Sequence, residues 1–176
     1  MNSLKNMEGL LSLNAFELFA SPVKFDIDLH ELNLKKNELQ KTYHPDKWLD
    51  ARDNHIVNNL SSHINSLYLE LVNPISRAIL ILKLNNIDFD LKDAHVSSDL
   101  LMDQIEIREK LQENKKSFEK IHDIAHELED KYYQIIKKLN DEFEAKNFEE
   151  VKILVTKLSY SSKLLIVVNE YIRDLI

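Results

Sequence analysis

One glycine and three prolines are all that this chain of 176 residues offers for sharp reversals. Strand-rich folds need frequent turns. Turns depend on glycine for positive φ and on proline for a fixed φ. The shortage therefore leaves one economical solution, long helices joined by short loops, and an all-α fold is expected. Hydrophobic residues make up 44% of the chain, enough for a packed core.

The few breakers divide the chain clearly. A short helix is predicted from Asn14, carrying Phe16, Leu18 and Phe19 and ended by Ser21-Pro22. A second begins near Asp28, which with Glu31 has the spacing of a capping box. Leu32, Leu39 and Tyr43 share its apolar stripe. Lys36 falls on the same stripe, and its stem is expected to pack while its charge reaches water. Pro45 stops that helix by His44, and His44 to Asp53 reads as a loop. A third helix aligns Ile56, Leu60, Ile64, Leu67 and Leu71 until Asn73-Pro74 breaks it. Pro74 opens a fourth through Ile75, Ile79 and Leu82. A weakly periodic connector covers Asn85 to Val96. Three longer helices follow, from Ser98 to Asn114, Phe118 to Phe143 and Phe148 to Leu175. Their short loops predict an antiparallel three-helix bundle. The expected division is a first domain at 1–84, a connector at 85–97 and the bundle at 98–176.

The formal net charge of −7 argues against nucleic acid as a ligand, since phosphate binding needs a basic excess. Residues 1–84 hold nine Lys/Arg and ten Asp/Glu of the chain's 23 and 30, so the acidic excess lies in the remainder. The absence of cysteine excludes disulfides, thiolate metal sites and a Cys nucleophile. No apolar run is long enough to span a membrane, and the first residues lack the layout of a signal peptide. A cytoplasmic monomer without cofactor is expected.

His44-Pro45-Asp46 could be no more than a turn, because Pro and Asp favour turns. Its surroundings make it informative. Leu39-Gln40-Lys41-Thr42-Tyr43 precedes it, Lys47 follows it, and Ala15-Phe16-Glu17-Leu18-Phe19 supplies a short aromatic helix upstream. Ile64-Asn65-Ser66-Leu67-Tyr68 lies in the helix after it. This order resembles the J-domain family. The resemblance implies docking on the nucleotide-binding domain of a DnaK-type ATPase chaperone and acceleration of ATP hydrolysis there. Asp46, stiffened by Pro45 and flanked by His44, would meet an arginine of the partner at little ordering cost. Lys35, Lys41 and Lys47 would add basic contacts, the alternative for them being ordinary solvation. Catalysis by His44 and Asp46 is rejected, since neither a Ser or Cys nucleophile nor a glycine-rich phosphate loop accompanies them. His122 and His126 have the i, i+4 spacing of a metal pair. The intervening Asp-Ile-Ala lacks the Glu of a metalloprotease, and a solvated face is the expectation.

In the helix from Ser98, Leu100, Ile107 and Leu111 fall on one side. Leu101, Met102 and Ile105 fall on another, beside Glu106 and Glu109. A helix of a small bundle needs only one apolar stripe, so the second patch implies a further contact. In the last helix Val151, Val155, Leu158, Leu165 and Ile172 form the expected core stripe, and Tyr160 points away from it. The run Leu100-Leu101-Met102-Asp103-Gln104-Ile105-Glu106-Ile107-Arg108-Glu109 resembles the HscB family of J-type co-chaperones, as does Asn73-Pro74-Ile75-Ser76-Arg77-Ala78. That resemblance implies a bundle that binds the iron–sulfur scaffold IscU through Leu101, Met102, Ile105, Glu106, Glu109 and Tyr160. It also implies delivery to an HscA-class chaperone, with no enzymatic activity and no metal in the chain itself. Tyr160, where the family often has Phe, and Lys36, where an apolar residue is usual, depart from the pattern. Two alternatives stay open: a J-domain co-chaperone for another client, and a helical oligomeric interaction protein.

Overall fold

The computed structural model describes residues 2–47 and 51–176. They form α1 (Asn2–Leu11), α2 (Ala15–Leu18), α3 (Leu29–Thr42), a 3-10 turn (Pro45–Lys47), α4 (Ala51–Val72), α5 (Pro74–Leu84), α6 (Ser98–Glu113), α7 (Phe118–Glu144) and α8 (Phe148–Asp174). No strand occurs among the described residues. The expected all-α class holds.

Local chemistry starts the helices where the sequence indicates. The Asn14 side chain accepts from Glu17 N at 3.1 Å, while the Glu17 carboxylate accepts from Asn14 N at 2.9 Å. Asp28 caps α3 by accepting from the amides of His30 and Glu31 at 2.8 and 3.0 Å. The Glu31 carboxylate reaches forward to Lys35 at 2.8 Å rather than back to the cap. Asn73 accepts from Ile75 N and Ser76 N at 2.9 and 3.1 Å, so α5 begins with a capping side chain and a proline in its first turn.

Helix endings show how the chain manages with one glycine. After α2, α5 and α7 the backbone enters the left-handed region at Ala20 (φ 45°), Asn86 (φ 60°) and Lys146 (φ 55°). Each closes a Schellman motif: Ser21 N donates to Phe16 O at 2.9 Å, Ile87 N to Leu82 O at 3.0 Å, and Asn147 N to Glu142 O at 3.0 Å. Asn tolerates this conformation. Ala and Lys bear the crowding of Cβ against the carbonyl, about 1 kcal/mol each.

Three expectations are corrected. The loop read from His44 to Asp53 is shorter, since the 3-10 turn occupies Pro45–Lys47 and α4 has begun by Ala51; Trp48, Leu49 and Asp50 lie outside the described residues. Helix α1 was not expected. Its ten residues carry the only glycine and are too few for propensity alone to hold the helix; packing on α4 does, with Met7 fully buried. Lys36 does not simply extend to water, because its Nζ lies 4.8 Å from the centroid of the Tyr68 ring. A cation over an aromatic face explains how a lysine occupies that stripe.

Packing divides the chain into two compact units, Met1–Arg77 and Ala78–Ile176, so the division falls inside α5. In the first unit α3 and α4 run antiparallel. Gln40 Nε2 donates to Asn65 Oδ1 at 2.8 Å, and Tyr68 Oη donates to Asn33 Oδ1 at 3.5 Å, so residue numbers rise on one helix as they fall on the other. Phe16, Phe19, Phe25, Leu32, Val57, Leu60, Ile64 and Leu71 are buried in this unit. Phe19 meets Tyr68 edge to face at 6.4 Å. Arg77, only 7% exposed, donates through Nη1 to the carbonyls of Leu71 and Val72 and lies 4.8 Å from the Phe25 ring centroid. It thereby satisfies the end of α4.

In the second unit α7 and α8 form the long pair, each of 27 residues, roughly 40 Å. The shorter α6 packs on both. Leu111 of α6, Ile121, Ala125 and Leu128 of α7, and Leu164 and Val168 of α8 form one core cluster, edged by Ile107, Leu165 and Ile172. The α8 stripe is thus partly corrected. Val151, Val155 and Leu158 are buried, but in the second half the deepest positions are Leu164 and Val168, and Leu165 and Ile172 stand at the edge. The buried face turns by roughly 100° along the helix. The sevenfold spacing misses this because the second half of α8 packs against α6 as well as α7.

Candidate functional site

The first set of candidate residues surrounds the 3-10 turn. Asp46 N donates to His44 Nδ1 at 3.3 Å, and Asp46 Oδ2 lies 3.5 Å from the same nitrogen. One nitrogen cannot accept the amide proton and donate to the carboxylate at once. With Nδ1 accepting, the imidazole braces the turn and leaves the Asp46 carboxylate free. That side chain is 88% exposed, available to a cationic partner. The Pro45 side chain lies outside what the structure describes.

The three lysines are not equivalent. Lys35 Nζ donates to Ala20 O at 3.1 Å and pairs with Glu31, which ties it to the end of α2. Lys47 Nζ donates to Lys41 O and so covers the last turn of α3. Lys41 is exposed and forms no ion pair with a described residue. Of the cations expected to face a chaperone, Lys41 has its charge least committed within the molecule.

The second set lies on the bundle. Ile107 and Leu111 face the core cluster. On the adjoining face Leu101, Met102 and Ile105 are 47%, 63% and 51% exposed, a continuous apolar patch on the first two turns of α6. Glu106 and Glu109 border it, both exposed. Glu106 Oε1 is 2.8 Å from Lys110 Nζ, one turn along. The hydrogen bond from Lys110, then its charge, holds the Glu106 carboxyl below its ordinary range, and the same contact raises Lys110. Glu109 has no such partner among the described residues and presents a free negative charge.

Tyr160 is half-buried on α8. Gln104 Nε2 donates to its carbonyl at 3.2 Å, which sets that residue's backbone against the turn between Leu101 and Ile105. Further along the same seam Tyr171 Oη donates to Gln112 Oε1 at 3.1 Å. Lys163 Nζ lies 5.0 Å from the Tyr160 ring centroid. Sequence reasoning did not single out Gln104 or Lys163. The available signal was a lone amide between two apolar residues of the exposed stripe, and a lysine one turn beyond the out-turned tyrosine.

His122 stacks on Phe118 at 6.0 Å, and His126 Nδ1 lies 3.3 Å from Asp130 Oδ2. No group of three or more His, Cys, Asp or Glu suited to a metal ion occurs among the described residues. No described helix is long and apolar enough to cross a membrane.

The family profile described as HSCB C-terminal oligomerisation domain matches residues 96–169. The co-chaperone protein HscB homolog of Acinetobacter baylyi is 33% identical over 153 residues, covering 87% of this chain and 87% of that protein. The homolog of Vibrio vulnificus is 38% identical over 104 residues, a match spanning 57% of this chain and 61% of that protein's length. Among solved structures, chaperone HscB from Vibrio cholerae superposes with a TM-score of 0.84 at 25% identity, covering 93% of this chain and all of that one (100%). Human co-chaperone protein HscB gives a TM-score of 0.83 at 26% identity, covering 90% of this chain and 82% of the other.

Proposed function

The chain belongs to the HscB family of co-chaperones, and from that premise we propose that it joins the iron–sulfur scaffold IscU to an HscA-class, DnaK-type ATPase chaperone. The C-terminal bundle holds the scaffold through Leu101, Met102, Ile105, Glu106, Glu109 and Tyr160. His44-Pro45-Asp46, with Lys35, Lys41 and Lys47 around it, engages the chaperone and stimulates its ATPase. Residues 1–84 then serve as the chaperone-binding part, 85–97 as the connector and 98–176 as the scaffold-binding part. The chain itself is an adaptor in the cytoplasm, without catalytic residues or cofactor.

One observation carries this reading. An uncovered apolar patch edged by acid sits on the bundle of a chain that also presents the exposed Asp46 carboxylate on a braced turn. Holding two partners on one molecule raises their effective concentration, which is what an adaptor contributes to cluster transfer. Asp46→Asn keeps the turn and removes the charge. It should abolish stimulation of the chaperone ATPase and leave IscU binding and thermal stability unchanged. Full stimulation by the variant would refute the role given to the loop.

The description of the matching family profile favours a second reading, in which another copy of this chain covers the Leu101 patch. Sedimentation separates the two. A micromolar dimer disrupted by substitutions at Leu101, Met102 and Ile105 supports self-association, while a monomer that binds IscU supports the scaffold.

A further inference from the structure

The surface on α6 and α8 is electrically polarised, and only one pole follows from the sequence resemblance. Glu109, just over one turn from Ile105, is exposed and unpaired among the described residues. Glu106 is already neutralised by Lys110 at 2.8 Å and adds little net charge. On the neighbouring α8 stands Lys163. It is exposed, its Nζ sits 5.0 Å from the Tyr160 ring centroid, and no described carboxylate pairs with it. The Gln104 contact at 3.2 Å fixes the Tyr160 backbone beside the α6 turn that carries Leu101 and Ile105, which brings this part of α8 next to the patch. Arg108, one turn beyond Gln104 on α6, is exposed and lacks a described carboxylate partner too. The surface thus joins an exposed cation on α8 beside Tyr160 to an apolar stripe and an exposed carboxylate on α6, with Arg108 as a second exposed cation.

We propose that Lys163 is the positive pole of the scaffold-binding surface and pairs with a carboxylate of the scaffold, fixing the direction in which the scaffold lies across α6. This rests on the scaffold reading above. An apolar patch alone can be covered in several orientations, because apolar contact carries no direction. Opposite charges on the two helices select one of them, and charges at an interface rim act on association rate and orientation. Tyr160 contributes by confining the lysine. A cation held over an aromatic face has less freedom to lose on pairing.

The test uses the full chain and purified IscU, with affinity measured at about 50 and 300 mM salt for Lys163→Arg, Lys163→Met and Lys163→Glu. Chaperone ATPase stimulation without scaffold reports on folding and on the other domain. Lys163→Arg should bind like the parent. Lys163→Met should bind about two- to fivefold more weakly at low salt, the range of an exposed ion pair, and Lys163→Glu about tenfold more weakly. Both deficits should shrink at high salt, where rim charges are screened. Equal losses for Met and Glu that ignore salt would mean that Lys163 only props the Tyr160 ring, and would overturn the ion pair. Parent-like binding by Lys163→Glu, with binding lost in a Leu101/Met102/Ile105 triple alanine variant, would overturn the proposal and leave the scaffold reading standing. No IscU binding by the parent chain would overturn both.

Discussion

Replacing Leu101, Met102 and Ile105 together by alanine separates a docking surface from a core in one measurement. The three are 47%, 63% and 51% exposed, so about half of each remains to be covered by a partner. Full burial of such a side chain is worth about 1.5–3 kcal/mol, and covering the remaining half is worth roughly 1 kcal/mol each. The triple variant should then lose about 3 kcal/mol of binding free energy, on the order of 100-fold in Kd. Folding should suffer less than from truncating true core residues, which costs about 2–5 kcal/mol apiece. Calorimetric titration with IscU gives the first quantity and denaturant unfolding the second. ATPase stimulation in the absence of scaffold should match the parent. An unchanged Kd would refute the assignment of the patch. So would unfolding of the second unit, because it would place these side chains in the core.

Three other outcomes follow from local physics. Lys146→Gly relieves a left-handed residue at the end of α7 (φ 55°); the unfolded chain gains freedom in return, so the roughly 1 kcal/mol of relieved crowding should appear in chemical denaturation as a net stabilisation of no more than about 0.6 kcal/mol. Arg77→Ala removes the guanidinium that donates to Leu71 and Val72 and covers Phe25; leaving those buried groups unpaired should cost about 2–4 kcal/mol, read as a lower midpoint of unfolding. The Glu106 carboxyl is held below its ordinary range by Lys110, so its contribution to stability is present above the unfolded-state pKa and is lost as pH falls through the lower folded value. Lys110→Gln should move the Glu106 titration, followed by NMR, back upward; no movement would deny that the pair forms in solution.

Much of this architecture is legible in the residues because breakers and caps are local. Asn14, Asp28 and Asn73 each act within three residues of themselves, and Pro74 opens the helix that its ring permits. The exposed stripe at Leu101, Met102 and Ile105 is equally readable, since helical geometry alone puts it away from Leu111. What escapes is decided by distant partners. Helix α1 exists through its contact with α4. Lys36 finds its place through the ring of Tyr68, 32 positions along the sequence. Which residues in the second half of α8 lie deepest depends on the added contact with α6. The same holds for the candidate sites. Exposure of Asp46 could be expected from its turn, whereas the engagement of Lys35 with Ala20 O, the neutralisation of Glu106 and the seat of Lys163 over Tyr160 required three dimensions.

The seam between α6 and α8 is fastened by two glutamines, Gln104 on the carbonyl of Tyr160 and Gln112 with the hydroxyl of Tyr171. Neither contact involves a net charge, so ionic strength and moderate changes of pH leave both in place. The bundle therefore offers a platform of fixed geometry whose electrostatics can be titrated independently. Any salt dependence measured for a bound partner reports on that partner's contacts and not on the helices parting beneath it. Exposed charges such as Glu109 and Lys163 can on the same grounds change without reopening the packing beneath them.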